Sequence, residues 1–296
     1  MEAAVGTKVE HFVLERQIGS GGMGTVWAAR DVRTGQLLAL KILRLSDPSA
    51  GEVLRARLLR EAQATRLIAH PAIVPVLDVV DYDGNPALVM DLLTGETLRD
   101  HLLRFGRLDV ATAARLLTPI ADALSAAHRA GIVHRDLKPE NIFIEADDRT
   151  SVRLLDFGVA RFFEPSLAGG VGGVTDVPLT DLGTLIGTLA YMAPEQALRP
   201  SECDERVDTW ALGVILYETL SGCRPIEGGN GPETMRQLLI GGITPLGIVM
   251  PGLPDGLTAL VGSMLARAPE RRPKALAEVA SALRRYSESM PADASG

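Results

Sequence analysis

The sequence predicts an α+β chain built as two unequal lobes, a small β-rich N-terminal lobe with one main helix and a larger, mainly helical C-terminal lobe. Three observations predict it. Between Phe12 and Leu93, short apolar runs are separated by turn signals and interrupted once by a helical period. After TGETL (94–98) the apolar spacing lengthens from two residues to three and four. The 296 residues, 46% of them apolar, are enough for a sizeable core and exceed the usual ceiling for a single one.

FVLERQIG (12–19), TVWAARD (25–31) and LLALKIL (37–43) read as strands, broken by the Gly-rich GSGGMG and the turn VRTGQ. IVPVLDVV (73–80) and PALVMDLL (86–93) flank the turn signal DYDGN. The interrupting helix starts at Asp47 and Pro48, a cap and first-turn pair, and carries Leu54, Leu58, Glu61, Thr65 and Ile68 at three- and four-residue spacing. DVATAARLLTPIADALSAAHRAG (109–131) begins on an Asp cap, shows an apolar stripe at Leu116, Leu117, Ile120 and Leu124, and stops at a glycine. GIVH (131–134) and NIFIE (141–145) read as short strands around a polar string, and the chain from about 205 to 286 is mostly helical. The expected organisation is one domain over 11–285: a first lobe at about 11–90, a connector at about 91–95 and a second lobe at about 96–285. Residues 286–296 are expected to form a flexible tail.

The net charge of −7 offers no basic field to a polyanion, which argues against nucleic acid or an anionic membrane as the main partner. Cys203 and Cys223 are too few for a disulfide framework, and neither a signal peptide nor an apolar run of about 18 residues is present. The expectation is a cytoplasmic protein with reduced thiols and no membrane span in this chain.

Two charges need partners. The helical spacing puts Glu61 on the inward face, where an unpaired carboxylate is costly. Strand alternation puts Lys41 on the same face as Ala39, so the two charges are natural mates. Gly19, Gly21 and Gly24 follow the order GxGxxG, with Val26 two residues on. Glycines let backbone amides approach phosphate oxygens. A dinucleotide-binding loop would open a helix, whereas TVWAARD follows here, and no GK[ST] completes a Walker loop.

The densest polar string is HRDLKPEN (134–141). Moving a phosphoryl group requires a group to orient the attacking hydroxyl, ligands for magnesium and positive charge near the transferred phosphate. Asp136 can accept the hydroxyl proton, Lys138 can neutralise the γ-phosphate, and Asn141 offers a metal an uncharged oxygen. LLDFG adds Asp156 at the end of another strand as the second protein ligand.

These residues together resemble a eukaryotic-type (Hanks-type) protein Ser/Thr kinase, and GGMGTVWAARD and YMAPEQA resemble its bacterial branch. The motifs occur in the family's order over about residues 11 to 285. The resemblance implies the bilobal protein kinase fold, ATP in the cleft between the lobes, and Mg2+ (or Mn2+) as cofactor. It implies that Gly19, Ser20, Gly21, Gly22, Met23 and Gly24, flanked by Ile18 and Val26, cover the phosphates. Lys41 of LALK would hold the α- and β-phosphates with Glu61 as its ion-pair partner. Met90 would border the adenine pocket, the backbones of Asp91 and Leu93 would bond its edge, and Ala39 and Phe143 would sandwich the ring. Asn141 and Asp156 become the metal ligands, Asp208 braces the catalytic loop, and Arg272 pairs with Glu195 of APE. Thr65 departs from the family's apolar residue that stacks on Phe157, so an active arrangement would need phosphorylation or a partner to hold it.

Regulation is also implied. Thr184 and Thr180 match positions of activating phosphothreonines, Arg135 would receive the phosphate, and the Thr188 hydroxyl would bond Asp136 and Lys138. The segment from Asp156 to Glu195, with its AGGVGGV, is expected to be mobile until phosphorylated. Partners would be proteins bearing Ser or Thr, and a second copy for trans-autophosphorylation. A kinase-fold scaffold without catalysis would lack Lys41, Asp136 or the DFG, and a small-molecule phosphotransferase would lack APE and the long segment before it; all are present.

Overall fold

The computed structural model describes residues 3–21, 24–45, 56, 58, 59, 68, 70–148, 150–156 and 189–287. Six antiparallel strands form the N-terminal sheet: β1 (Lys8–Val9), β2 (Phe12–Gly21), β3 (Gly24–Asp31), β4 (Leu37–Leu43), β5 (Val76–Tyr82) and β6 (Asn85–Asp91), in the order β1-β2-β3-β4-β6-β5. Side-chain alternation gives the sheet two apolar faces. Leu38, Leu40 and Ile42 of β4 pack with Phe12, Trp27 and Val89 on one; Ala39 and Leu43 pack with Leu58, Val76, Leu88 and Met90 on the other. Lys41 falls on the second face, with Ala39. At Gly24, φ is 144° and an added β-carbon would lie 1.9 Å from the Ile42 carbonyl oxygen, so only glycine lets β3 start this close to β4.

The C-terminal lobe begins with β7 (Gly95–Thr97) and α1 (Leu98–Phe105), whose first turn is capped by Thr97 Oγ1 accepting the Asp100 N–H at 3.1 Å. The long α2 (Val110–Arg129) is capped by Asp109, which accepts the Thr112 N–H at 2.9 Å, and its Leu116, Leu117, Ile120 and Leu124 are buried. Then come β8 (Ile142–Glu145), β9 (Val152–Leu154), α3 (Pro194–Leu198), α4 (Arg206–Ser221), α5 (Gly231–Ile240), α6 (Leu246–Val249), α7 (Asp255–Met264) and α8 (Leu276–Ser287). In α4 every residue from Val207 to Leu220 is buried. A helix with no polar stripe belongs at the centre, and α2, α7 and α8 contribute to the core around it. A second, three-stranded sheet, β7-β8-β9, sits at the junction of the lobes.

One expectation needs correction. GIVH is not a strand: the Ile132 N–H caps α2 by donating to Ala127 O, and the His134 N–H, like that of Arg135 after it, donates to a side chain, Asp208, rather than to a neighbouring strand. Ahead of Phe12, the short β1 pairs with β2. At the other end α8 runs through Ser287, and Tyr286 packs on the core. Finally, Ile68, Ala72 and Ile73 lie in the first lobe by sequence but in the core of the second. Of the helix expected over 47–68, Ala56, Leu58 and Leu59 are described and helical. Among the described residues no helix is long and apolar enough to cross a membrane.

Candidate active site

Two antiparallel strands bring the polar groups together. Ile142 of β8 is the register partner of Leu154 of β9, so Asn141, one residue before β8, and Asp156, two residues after β9, emerge at the same end. The Leu155 N–H donates to Asn141 O at 2.8 Å, which ties the two exits. A 3₁₀ turn, Pro139–Asn141, folds the polar string back on itself. Asn141 Nδ2 then donates to the Asp136 carbonyl at 2.7 Å, and Lys138 Nζ lies 2.7 Å from Asp136 Oδ2.

The backbone before Asp136 is strained and held. Arg135 has φ 67°, a left-handed conformation uncommon outside glycine. Asp208, at the start of α4 and fully buried, accepts the Arg135 N–H through Oδ1 at 2.9 Å and the His134 N–H through Oδ2 at 2.9 Å. His128 Nε2 reaches Oδ2 at 2.7 Å. Burial works to raise the Asp208 carboxyl, but the bond and charge of His128 and the backbone N–H of His134 override it and hold it below the usual carboxylate range. His134 Nε2 lies 3.0 Å from Leu155 O, fixing the residue before Asp156.

Lys41 Nζ lies 2.5 Å from Asp156 Oδ2, across the gap between the lobes, with the two side chains 12% and 21% exposed. Asp156 too has a left-handed φ, 60°. Burial pushes its carboxyl up, and the Lys41 charge and bond more than reverse this, leaving it below its ordinary value.

Beside this pair opens a cleft lined by Ile18, Val26 and Ala39 from the sheet, Met90 and Asp91 at the end of β6, Leu92 and Leu93 of the connector, and Val74, Phe143 and Leu155 below. Lys41 and Asp156 close its inner end. Apolar walls, a strip of backbone and one charged end suit a flat aromatic ring carrying anionic groups. Below the catalytic loop, Arg272 meets Glu195 in two bonds, Nη1 to Oε1 at 2.5 Å and Nη2 to Oε2 at 2.8 Å.

Of the expected site residues, the structure brings Ile18, Val26, Ala39, Lys41, Met90, Asp91, Leu93, Phe143 and Asp156 to one cleft, and Arg135, Asp136, Lys138 and Asn141 to the loop joined to it. Gly19, Ser20 and Gly21 end β2, and Gly24 opens β3. Gly22, Met23, Glu61, Thr65, Phe157, Thr180, Thr184 and Thr188 lie outside the described residues. So the pairing of Lys41 with Glu61 is not described, while that of Lys41 with Asp156 is. The sequence reading missed Val74, Leu92 and Leu155, which sit beside named residues in apolar runs. It also missed His128, whose only signal is its position near the end of α2.

A family model described as a protein kinase domain matches residues 12–282. The serine/threonine-protein kinase pkn2 of Myxococcus xanthus is 37% identical over 275 residues, covering 92% of this chain and 32% of its own length. Serine/threonine-protein kinase PknH of Mycobacterium bovis is 36% identical over 271 residues, covering 92% and 43%. The chain thus spans under half the length of these curated relatives. Among solved structures, the PknI kinase domain of Mycobacterium tuberculosis, crystallised as a cysteine-to-alanine mutant, superposes with a TM-score of 0.73 at 26% identity, over 97% of this chain and all of that one.

Proposed function

The chain belongs to the protein kinase domain family, and from that premise we propose that it transfers the γ-phosphoryl group of ATP to serine and threonine hydroxyls of proteins, its own included, in bacterial signalling. The observation that carries the proposal is the pair of anchored carboxylates: Asp136 held by Lys138 and Asp156 held by Lys41, at the charged end of an apolar cleft. Asp136 accepts the proton of the acceptor hydroxyl as the new O–P bond forms and the bond to the leaving ADP breaks. Lys138 offsets charge on the moving group. Because the transition state is loose, the protein's contribution is position and electrostatics, which is what the braced loop supplies.

The donor set fits a hard cation. Asn141 is oriented by its own Nδ2 bond to Asp136 O, which leaves its amide oxygen for a metal, and Asp156 adds one carboxylate. No group of three or more His, Cys, Asp or Glu able to hold a metal occurs among the described residues. Mg2+, or Mn2+ in its place, needs none, since it is held by one or two carboxylates together with substrate phosphates and waters. When bound, it would neutralise charge on the phosphates.

The test is Mg2+-dependent transfer of labelled phosphate from ATP to the protein itself and to myelin basic protein, followed by phosphoamino-acid analysis. Phosphoserine and phosphothreonine are expected. Asp136→Asn keeps the shape without the proton acceptor, so transfer should fall at least about a hundredfold while ATP still binds. Nucleotide binding without any transfer would instead mark a kinase-fold scaffold. Autophosphorylation is proposed at Thr180 and Thr184, where a phosphate would add nearly two negative charges for Arg135 to pair. Mass spectrometry finding no phosphate between Asp156 and Glu195, with full activity in the Thr180→Ala, Thr184→Ala double variant, would refute that part.

A further inference from the structure

Gln196, the residue after APE, is 9% exposed and makes two bonds whose consequences differ. Its Oε1 accepts the Ala193 N–H at 3.0 Å, which is ordinary N-terminal capping of α3 by a residue in its first turn. Its Nε2 donates to the Arg135 carbonyl at 3.0 Å. The two partners assign the amide, since an N–H can meet only its oxygen and a carbonyl only its nitrogen. The Arg135 carbonyl belongs to the peptide bond that enters Asp136. Arg135 is thus gripped at both ends: its N–H by Asp208 at 2.9 Å, its C=O by Gln196, with a left-handed φ of 67° between.

We infer that Gln196 is a positioning residue for phosphoryl transfer, clamping the Arg135–Asp136 peptide so that the Asp136 carboxylate faces the acceptor hydroxyl; this rests on the kinase reading above. The base of the clamp is rigid. Glu195, the neighbour of Gln196, is fixed by two bonds to Arg272, whose side chain is fully buried and also donates to Arg206 O at 2.9 Å and Ala266 O at 2.8 Å. Asp208 and Gln196 therefore transmit the positions of α4 and α3 to one peptide. A strained residue persists only where its surroundings over-determine it, and Gln196 supplies the half that Asp208 does not.

Gln196→Glu separates the clamp from the cap, because glutamate serves the capping role as well as glutamine but its carboxylate cannot donate to Arg135 O. Expected are an unfolding midpoint lowered by only a few degrees, for the one buried bond lost, nucleotide affinity within about twofold of wild type, and a kcat at pH 8 lowered by about 10- to 100-fold, the range a displacement of up to about 1 Å produces. The ratio of variant to wild-type kcat should rise as pH falls, since a protonated glutamate carries an O–H where Nε2–H was. Gln196→Leu, which removes both bonds, should show the same deficit with no pH-dependent recovery. If wild type transfers phosphate and Gln196→Glu matches it at every pH, the clamp is overturned. So it is if kcat, nucleotide affinity and unfolding midpoint all fall together, which is the mark of a structural role alone. If wild type transfers nothing, the kinase reading falls first and the clamp with it.

Discussion

Replacing Asp208 by Asn changes one atom in the least hydrated part of the site. The carboxylate accepts three hydrogens: Oδ2 takes His134 N–H and His128, Oδ1 takes Arg135 N–H. An amide has one accepting oxygen, so the less costly orientation keeps Oδ2 as oxygen and turns the NH2 toward the Arg135 N–H. A buried donor is stranded there, at about 1–3 kcal/mol, and the two surviving bonds drop from charge-assisted to neutral, at about 1 kcal/mol each. Asp208 is 0% exposed, so water does not repair the loss. Relief of the buried charge offsets part of it, which places the expected destabilisation near the lower end, about 3 kcal/mol. At about 2–4 °C per kcal/mol for a chain of this size, Tm should fall by roughly 6–12 °C. Urea unfolding gives the first number and a thermal melt the second. Amide exchange at Arg135 should accelerate first, because its bond is the one broken. Loss of less than about 1 kcal/mol, with Arg135 exchange unchanged, would refute the view that this carboxylate carries the loop.

The remaining predictions concern the other anchored charges. Lys41→Met leaves burial of Asp156 opposed only by the smaller influences of His134 and Lys138. In wild type its depressed carboxyl contributes stability that is present above the unfolded carboxyl pKa and lost as pH falls through the folded one, so the stability gap between wild type and Lys41→Met should shrink from pH 6 toward pH 3; a constant gap in pH-resolved urea titrations counts against the pairing. Arg272→Met strips Glu195 of both bonds and leaves three carbonyls without their donor. It should cost about 3–5 kcal/mol in equilibrium unfolding, and a change under about 1 kcal/mol would contradict the geometry. Gly95→Ala would set a β-carbon 2.0 Å from Ile144 O at φ 150°, so the β7–β8 pairing that seats Phe143 should loosen and nucleotide affinity drop. Retained affinity would show that β7 does not position that wall.

Where one kind of residue pattern decides an element, the sequence is sufficient. The strand alternation in LLALKIL puts Lys41 with Ala39 because the pleat allows nothing else, and Asp109 with Gly131 brackets α2 because caps and stops are local chemistry. The site string was legible for the same reason, since the turn after Lys138 is short and its polar groups satisfy one another. GIVH failed because its hydrogen-bond partner, Asp208, lies 74 residues from His134, and no local pattern records a bond across that distance. Gln196, the residue after APE, carries no local sign of its role, because its second bond ends 61 residues away on a backbone carbonyl. Burial of Ile68, Ala72 and Ile73 in the far lobe was invisible for a related reason: apolar spacing says that a face is covered, but not by which core.

That last placement changes what the connector at Leu92 to Thr94 means. Ile73 bridges Leu154, the Leu154 N–H donates to Ala72 O at 2.6 Å, and the Val74 N–H donates to Leu154 O at 3.1 Å, so the lobes are stitched a second time where the covalent chain does not run. A chain cut at the connector would therefore not yield two self-sufficient pieces. The first would display an apolar plug, the second would lack the residues that fill its roof, and the two would recombine through that plug as complementing fragments of one molecule.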